Sequence, residues 1–123
     1  MKRGVITISE NGIVNIPDIP VWMTLQEIAD LFGVFCVDIR KVTRILHKEG
    51  VLSEYETMRC VNAGKYISMD VYSLEFVIAI SFRTGSERSR LFREYLIKRL
   101  YTTSKASCCY LIPFQSRDWD KDN

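Results

Sequence analysis

Few side chains in this chain of 123 residues could carry covalent or metal chemistry. Its one histidine, His47, is the group through which an imidazole-based mechanism would have to pass. Cys36 stands eleven positions before it, and on a continuous helix that separation is about 16 Å, which excludes a thiol–imidazole dyad. The four cysteines, Cys36, Cys60, Cys108 and Cys109, contain no C-x-x-C pair, so neither a zinc site nor a disulfide framework is indicated. They read as free thiols, and the adjacent Cys108 and Cys109 as small apolar residues rather than a redox pair. Asp118, Asp120 and Asp122 alternate as at the start of a calcium loop, but no glycine or distal glutamate follows to complete one, and a solvated acidic segment is the simpler reading. There is no Gly-rich phosphate loop and no serine nucleophile motif. No enzyme activity and no cofactor is expected.

The chemistry that the sequence does offer is cationic recognition. Arg40, Lys41, Arg44 and Lys48 recur at helical spacing, and Phe35, Ile39, Val42 and Leu46 form an apolar stripe on the other side of the same helix, predicted over Phe35–Lys48. Taken alone, four such cations would be an ordinary solvated face. Their context changes that. The run Met23–Leu46 has the spacing of a helix-turn-helix: counted from Leu25, apolar residues fall at places four, five, eight, ten, fifteen and eighteen (Ile28, Ala29, Phe32, Val34, Ile39 and Val42), with Gly33 at place nine. Thr24 and Glu27 form a T-x-x-E capping box that starts the first helix. Alanine at place five lets two helices cross closely, and Gly33 suits the positive φ of a tight turn. In such a unit the second helix enters the major groove, where Arg40, Lys41, Arg44 and Lys48 would meet guanine edges and phosphates, with Val37 beside a thymine methyl. The first residues of that helix, Phe35, Cys36, Val37 and Asp38, offer few hydrogen-bond donors, which leaves weak specificity or a protein partner as the rival. Asp38 is expected to cap the helix.

The surrounding elements complete the unit. Val5–Ile8 and Ile13–Val14 flank Glu10–Asn11–Gly12 and predict an N-terminal β-hairpin; Pro17 and Pro20 then form a connector that keeps a helix from starting before Thr24. Glu49 and Gly50 end the second helix, with His47 and Lys48 in its last turn, where positive charge offsets the helix dipole. Thr57–Val61 and Lys65–Tyr72 alternate as strands around Asn62–Gly64 and predict a wing, with Lys65 near its tip, and Arg59 as a second candidate, for phosphate contact. Ser73 is placed to cap an apolar helix, Leu74–Phe82, and Ser86 to start a last helix reaching about Tyr101, with Leu91, Phe92, Tyr95 and Leu96 on one face. Arg90 and Arg93 on the other face either supplement phosphate binding or are solvated, and Ile97 among the polar positions suits a dimer contact.

Composition is consistent with one domain: 47 % of the residues are hydrophobic, and the net charge is only +2. The basic excess is local, since residues 83–105 hold seven cations against two anions. No apolar run approaches the ~20 residues of a membrane helix, and the N-terminus lacks a signal-peptide core, so a cytoplasmic protein is expected. Residues 1–101 are read as a winged helix-turn-helix domain of α+β class, with its core at 21–101. Residues 102–123, where periodicity is lost, are read as a loosely ordered tail.

The segments Val21–Thr24, Glu27–Phe32, Glu49–Leu52, Tyr72–Leu74 and Phe82–Arg83, with Phe92–Arg93 later, resemble the N-terminal domain of RhuM-like bacterial virulence-associated proteins across about Val21–Leu100. The resemblance implies a DNA-binding domain encoded in a genomic island or mobile element, with double-stranded DNA as partner. The chain has Tyr95 where that family commonly has tryptophan, and full-length members continue into a further region.

Overall fold

The computed structural model describes residues 2–50, 52, 57–64 and 66–102. The chain divides into two compact units, Met1–Arg93 and Glu94–Asn123. The first is α+β.

It begins with a small antiparallel hairpin, β1 (Thr7–Ile8) and β2 (Val14–Asn15), in which Thr7 faces Asn15 and Ile8 faces Val14. Its turn closes where the sequence placed it. The Gly12 amide donates to the Ser9 carbonyl at 2.9 Å, the Ser9 amide to the Ile13 carbonyl at 2.9 Å, and Gly12 takes φ +80°. The proline-bounded connector then runs beside the N-terminus: Gly4 donates to the Pro20 carbonyl and accepts from the Trp22 amide. This leads into a two-residue strand, β3 (Trp22–Met23), that periodicity could not announce because it is shorter than one full alternation.

Helix α1 (Leu25–Phe32) starts at Thr24 with both arms of the capping box formed. It ends in a Schellman pair, Gly33 N–H to Asp30 O and Val34 N–H to Ala29 O, with Gly33 left-handed at φ +66°. Ala29 is fully buried. Helix α2 (Cys36–Glu49) follows after a three-residue turn and is continuous over its 14 residues. Its buried stripe differs from the prediction. Ile39 and Leu46 are buried as expected, but Phe35 is 78 % exposed and Thr43 takes an inward place, donating its hydroxyl to the Ile39 carbonyl at 2.9 Å. Phe35 is the N-cap, with extended φ and ψ of −79° and 145°, so its side chain leaves the chain before the helical period applies. Asp38 sits in the first turn, yet no side chain caps α2 by a hydrogen bond.

Strands β4 (Met58–Gly64) and β5 (Ile67–Ser73) form the second hairpin, and β3 pairs on the free side of β5, giving the antiparallel order β3-β5-β4. The first strand runs further than Val61, and a register shift between Asn62 and Gly64 absorbs the turn-prone residues that suggested an earlier reversal. Side chains on β5 grade from exposed Ile67 to buried Val71 and Tyr72, so only the root of the hairpin joins the core. Helix α3 (Leu74–Ser81) begins at Ser73, whose hydroxyl makes no capping bond, a correction to its expected role. Pairing of Ser73 with Trp22 in the sheet fixes its backbone instead. Residues 87–102 are helical, and the Ser86 hydroxyl accepts from the Ser89 amide at 3.1 Å.

The core of the first unit gathers Met23, Ile28, Phe32, Ile39, Leu46, Val71, Phe76, Ile80 and Phe92, with Phe32 and Phe92 meeting edge to face at 5.6 Å. In the second unit, helical residues 94–102 expose Ile97, Leu100 and Tyr101. Among the described residues, no helix is long and apolar enough to cross a membrane. Residues 103–123, with Cys108, Cys109 and the alternating aspartates, lie outside the described part.

Candidate nucleic-acid interface

The candidate site is the face of α2 turned away from the core. At 100° per residue, Val37, Lys41, Arg44 and Lys48 fall within about 60° of one another, with Arg40 on one flank and Ile45 on the other. All six side chains are exposed. The buried side holds Ile39, Thr43 and Leu46, so this face is outward because the opposite one is committed to the core. Over 14 residues the helix is about 21 Å long, sufficient to lie along a major groove. Lys65, the predicted wing contact, lies outside the described residues.

Burial and pairing sort the cations into two groups. Arg3 donates to Glu27 Oε1 at 2.7 Å and to the Trp22 carbonyl at 2.8 Å. Arg59 stacks its guanidinium 4.5 Å from the centre of the Trp22 ring. Arg83 pairs with Glu49 at the end of α2, with Nη1 3.0 Å from Oε1. Arg88 donates to the Leu31 carbonyl at 2.6 Å and the Ile8 carbonyl at 3.0 Å. Arg90 pairs with Glu87, and Arg93 donates to the carbonyls of Ser81 and Thr84, the latter at 2.7 Å. Arg99 lies over Tyr95. Among the described arginines, only Arg40 and Arg44 have no intramolecular partner, and Lys41 and Lys48 share that state on the same face.

The local excess of cations after residue 83 therefore has a structural origin for the most part. Arg88 and Arg93 bind carbonyls left open where helices and strands end, a use that charge counting does not reveal. Arg90 and Arg93, read from the sequence as either phosphate contacts or solvated charges, are both held by protein groups. A pairing signal was readable only for Arg90, three residues from Glu87.

His47 and Glu27 are likewise engaged within the fold. The His47 ring packs 5.2 Å from Phe76 and 6.5 Å from Tyr72, between the end of α2 and the root of the second hairpin. Cys36 is half-buried at the other end of the same continuous helix, which rules out direct contact with His47. Cys60 is exposed on β4. Burial raises the Glu27 carboxyl pKa, but hydrogen bonds from Arg3 and the Thr24 amide, with the Arg3 charge, outweigh it and hold the group below its ordinary value. That network joins the N-terminal segment to the start of α1.

The chain matches no protein-family model, no curated protein and no solved structure.

Proposed function

We propose that this chain is a small DNA-binding protein of winged helix-turn-helix architecture, acting as a transcriptional regulator of a bacterial mobile element or genomic island. The observation that carries the reading is the pair Arg40 and Arg44, with Lys41 and Lys48, exposed on one face of α2 and unused by the fold. Seven other described arginines have intramolecular partners, so the idle ones are concentrated where a groove-reading helix would display them. The order strand, helix, tight turn, helix, hairpin, with the first strand beside the last, supports the winged assignment. Arg40, Lys41 and Arg44 contact the major groove in this reading, Val37 lies beside the bases, and Lys48 and Lys65 bind phosphate. The mobile-element context rests on the resemblance of the segments in Val21–Leu100 to RhuM-like proteins, which is read from the sequence alone.

Selection from a randomised duplex pool, run beside an Arg40→Ala, Arg44→Ala double variant at two salt concentrations, tests the assignment. An enriched motif lost in the variant is expected; binding that the variant retains in full would move the interface elsewhere.

A second reading, a protein-interaction module, draws on the exposed apolar residues Ile97, Leu100 and Tyr101 at helical spacing. Sedimentation of the chain over a hundredfold range of concentration separates the two: a concentration-dependent dimer lost in Ile97→Ser, Leu100→Ser favours self-association through this helix.

A further inference from the structure

We infer that the leading end of α2 reads the C5-methyl group of thymine through Phe35 and Val37. This rests on the DNA reading of the α2 face.

Phe35 is 78 % and Val37 50 % exposed, whereas Ile39 and Leu46 of the same helix are almost wholly buried. Phe35 contributes no capping bond, and its backbone is extended, so neither the core nor the helix end accounts for a phenyl group there. Val37 continues directly into the row Lys41, Arg44 and Lys48. Asp38 is also exposed but lies about 100° around the helix from Val37, and Cys36 is half-buried, so the side of the first turn that continues the cationic row presents mainly hydrocarbon.

Charge decides the kind of partner. Exposed apolar side chains at the start of a helix that displays Arg40, Lys41 and Arg44, none of them paired within the chain among the described residues, suit a polyanion better than a neutral protein surface. On a duplex, the major-groove edges are hydrogen-bond donors and acceptors with one apolar exception, the thymine methyl. Hydrocarbon set against any other base edge would strip water from a polar group without replacing its hydrogen bond. Phe35 and Val37 therefore select for thymine at the bases nearest the start of α2, while the cations behind them supply affinity.

The test uses a randomised duplex pool prepared with either thymidine or deoxyuridine, which differ by that methyl alone. Equilibrium binding of the full chain is compared with that of a Phe35→Ser, Val37→Ser variant and of the Arg40→Ala, Arg44→Ala variant. Since neither residue belongs to the buried core, their replacement removes little packing, and circular dichroism of the variant checks this. The expected result is tighter binding to the thymidine pool, by roughly fourfold for each methyl contacted, and a ratio near one in the serine variant. Equal binding of both pools by the wild type, or a preference that survives in the serine variant, overturns the inference. If that equal binding is weakened by Arg40→Ala, Arg44→Ala, the DNA reading stands without methyl readout. Failure of the wild type to bind either pool overturns the DNA reading and this inference together.

Discussion

At the scale of single residues, the carboxylate of Glu27 does two jobs: it closes the capping box on the Thr24 amide at 2.8 Å and receives Arg3 at 2.7 Å. Because its pKa is lowered on folding, the folded state binds fewer protons than the unfolded one in the carboxylate range. The stabilisation is therefore complete above the unfolded value near 4.5 and is lost as pH falls through the folded value. Glu27→Gln should destabilise by about 1–2 kcal/mol at neutral pH, and the gap from wild type in urea unfolding should close as the pH is lowered through that window. A gap that stays constant with pH would assign the effect to packing. Gly33 presents a different constraint. A Cβ there would stand 3.1 Å from Cδ of Arg88 on a backbone at φ +66°, so Gly33→Ala should cost about 1–2 kcal/mol and lower the thermal midpoint by several degrees.

At the scale of elements, Arg88 joins three of them. Its guanidinium binds Ile8 at the end of β1 and Leu31 in the last turn of α1 from a position on the helix over residues 87–102. Arg88→Lys keeps the charge but cannot reproduce the planar fork that reaches both carbonyls. We expect a loss of about 2–4 kcal/mol for Arg88→Ala, with Arg88→Lys recovering only part of it, measured by denaturant unfolding. Hydrogen exchange should show the β1–β2 hairpin opening more readily in either variant. By the same measure, full protection of that hairpin in Arg88→Ala would show that apolar contacts alone dock it.

At the scale of the whole molecule, the net charge of +2 is a poor guide to binding, because most of the described arginines are engaged within the chain. What governs association with a polyanion is the residual field of one helix face. In the proposed complex, log K should fall linearly with log salt concentration, and removal of a lysine that neutralises one phosphate should reduce the slope by about 0.9. Lys48→Gln is expected to do this for every duplex sequence alike, since phosphate contacts do not discriminate between bases. A slope unchanged in Lys48→Gln would place that side chain away from the backbone.

Local rules determined much of this protein. The capping box at Thr24, the tight turn at Gly33, the Asn-Gly hairpin and the outward cationic row of α2 all depend on neighbours within a few positions, and all were legible from residue type and spacing. The reversal of the second hairpin and the exposure of Phe35 are not legible in the sequence, because a β-bulge and an extended N-cap each interrupt the local period. Only tertiary structure decided the rest: that Trp22–Met23 is a strand, that His47 joins Tyr72 and Phe76, and that Arg88 and Arg93 are tied to carbonyls while Arg40 and Arg44 are left over. A cation's role depends on whether an unpaired oxygen lies within about 3 Å. Distances between residues 57 or 80 positions apart, as between Arg88 and its two acceptors, exist only once the chain has packed.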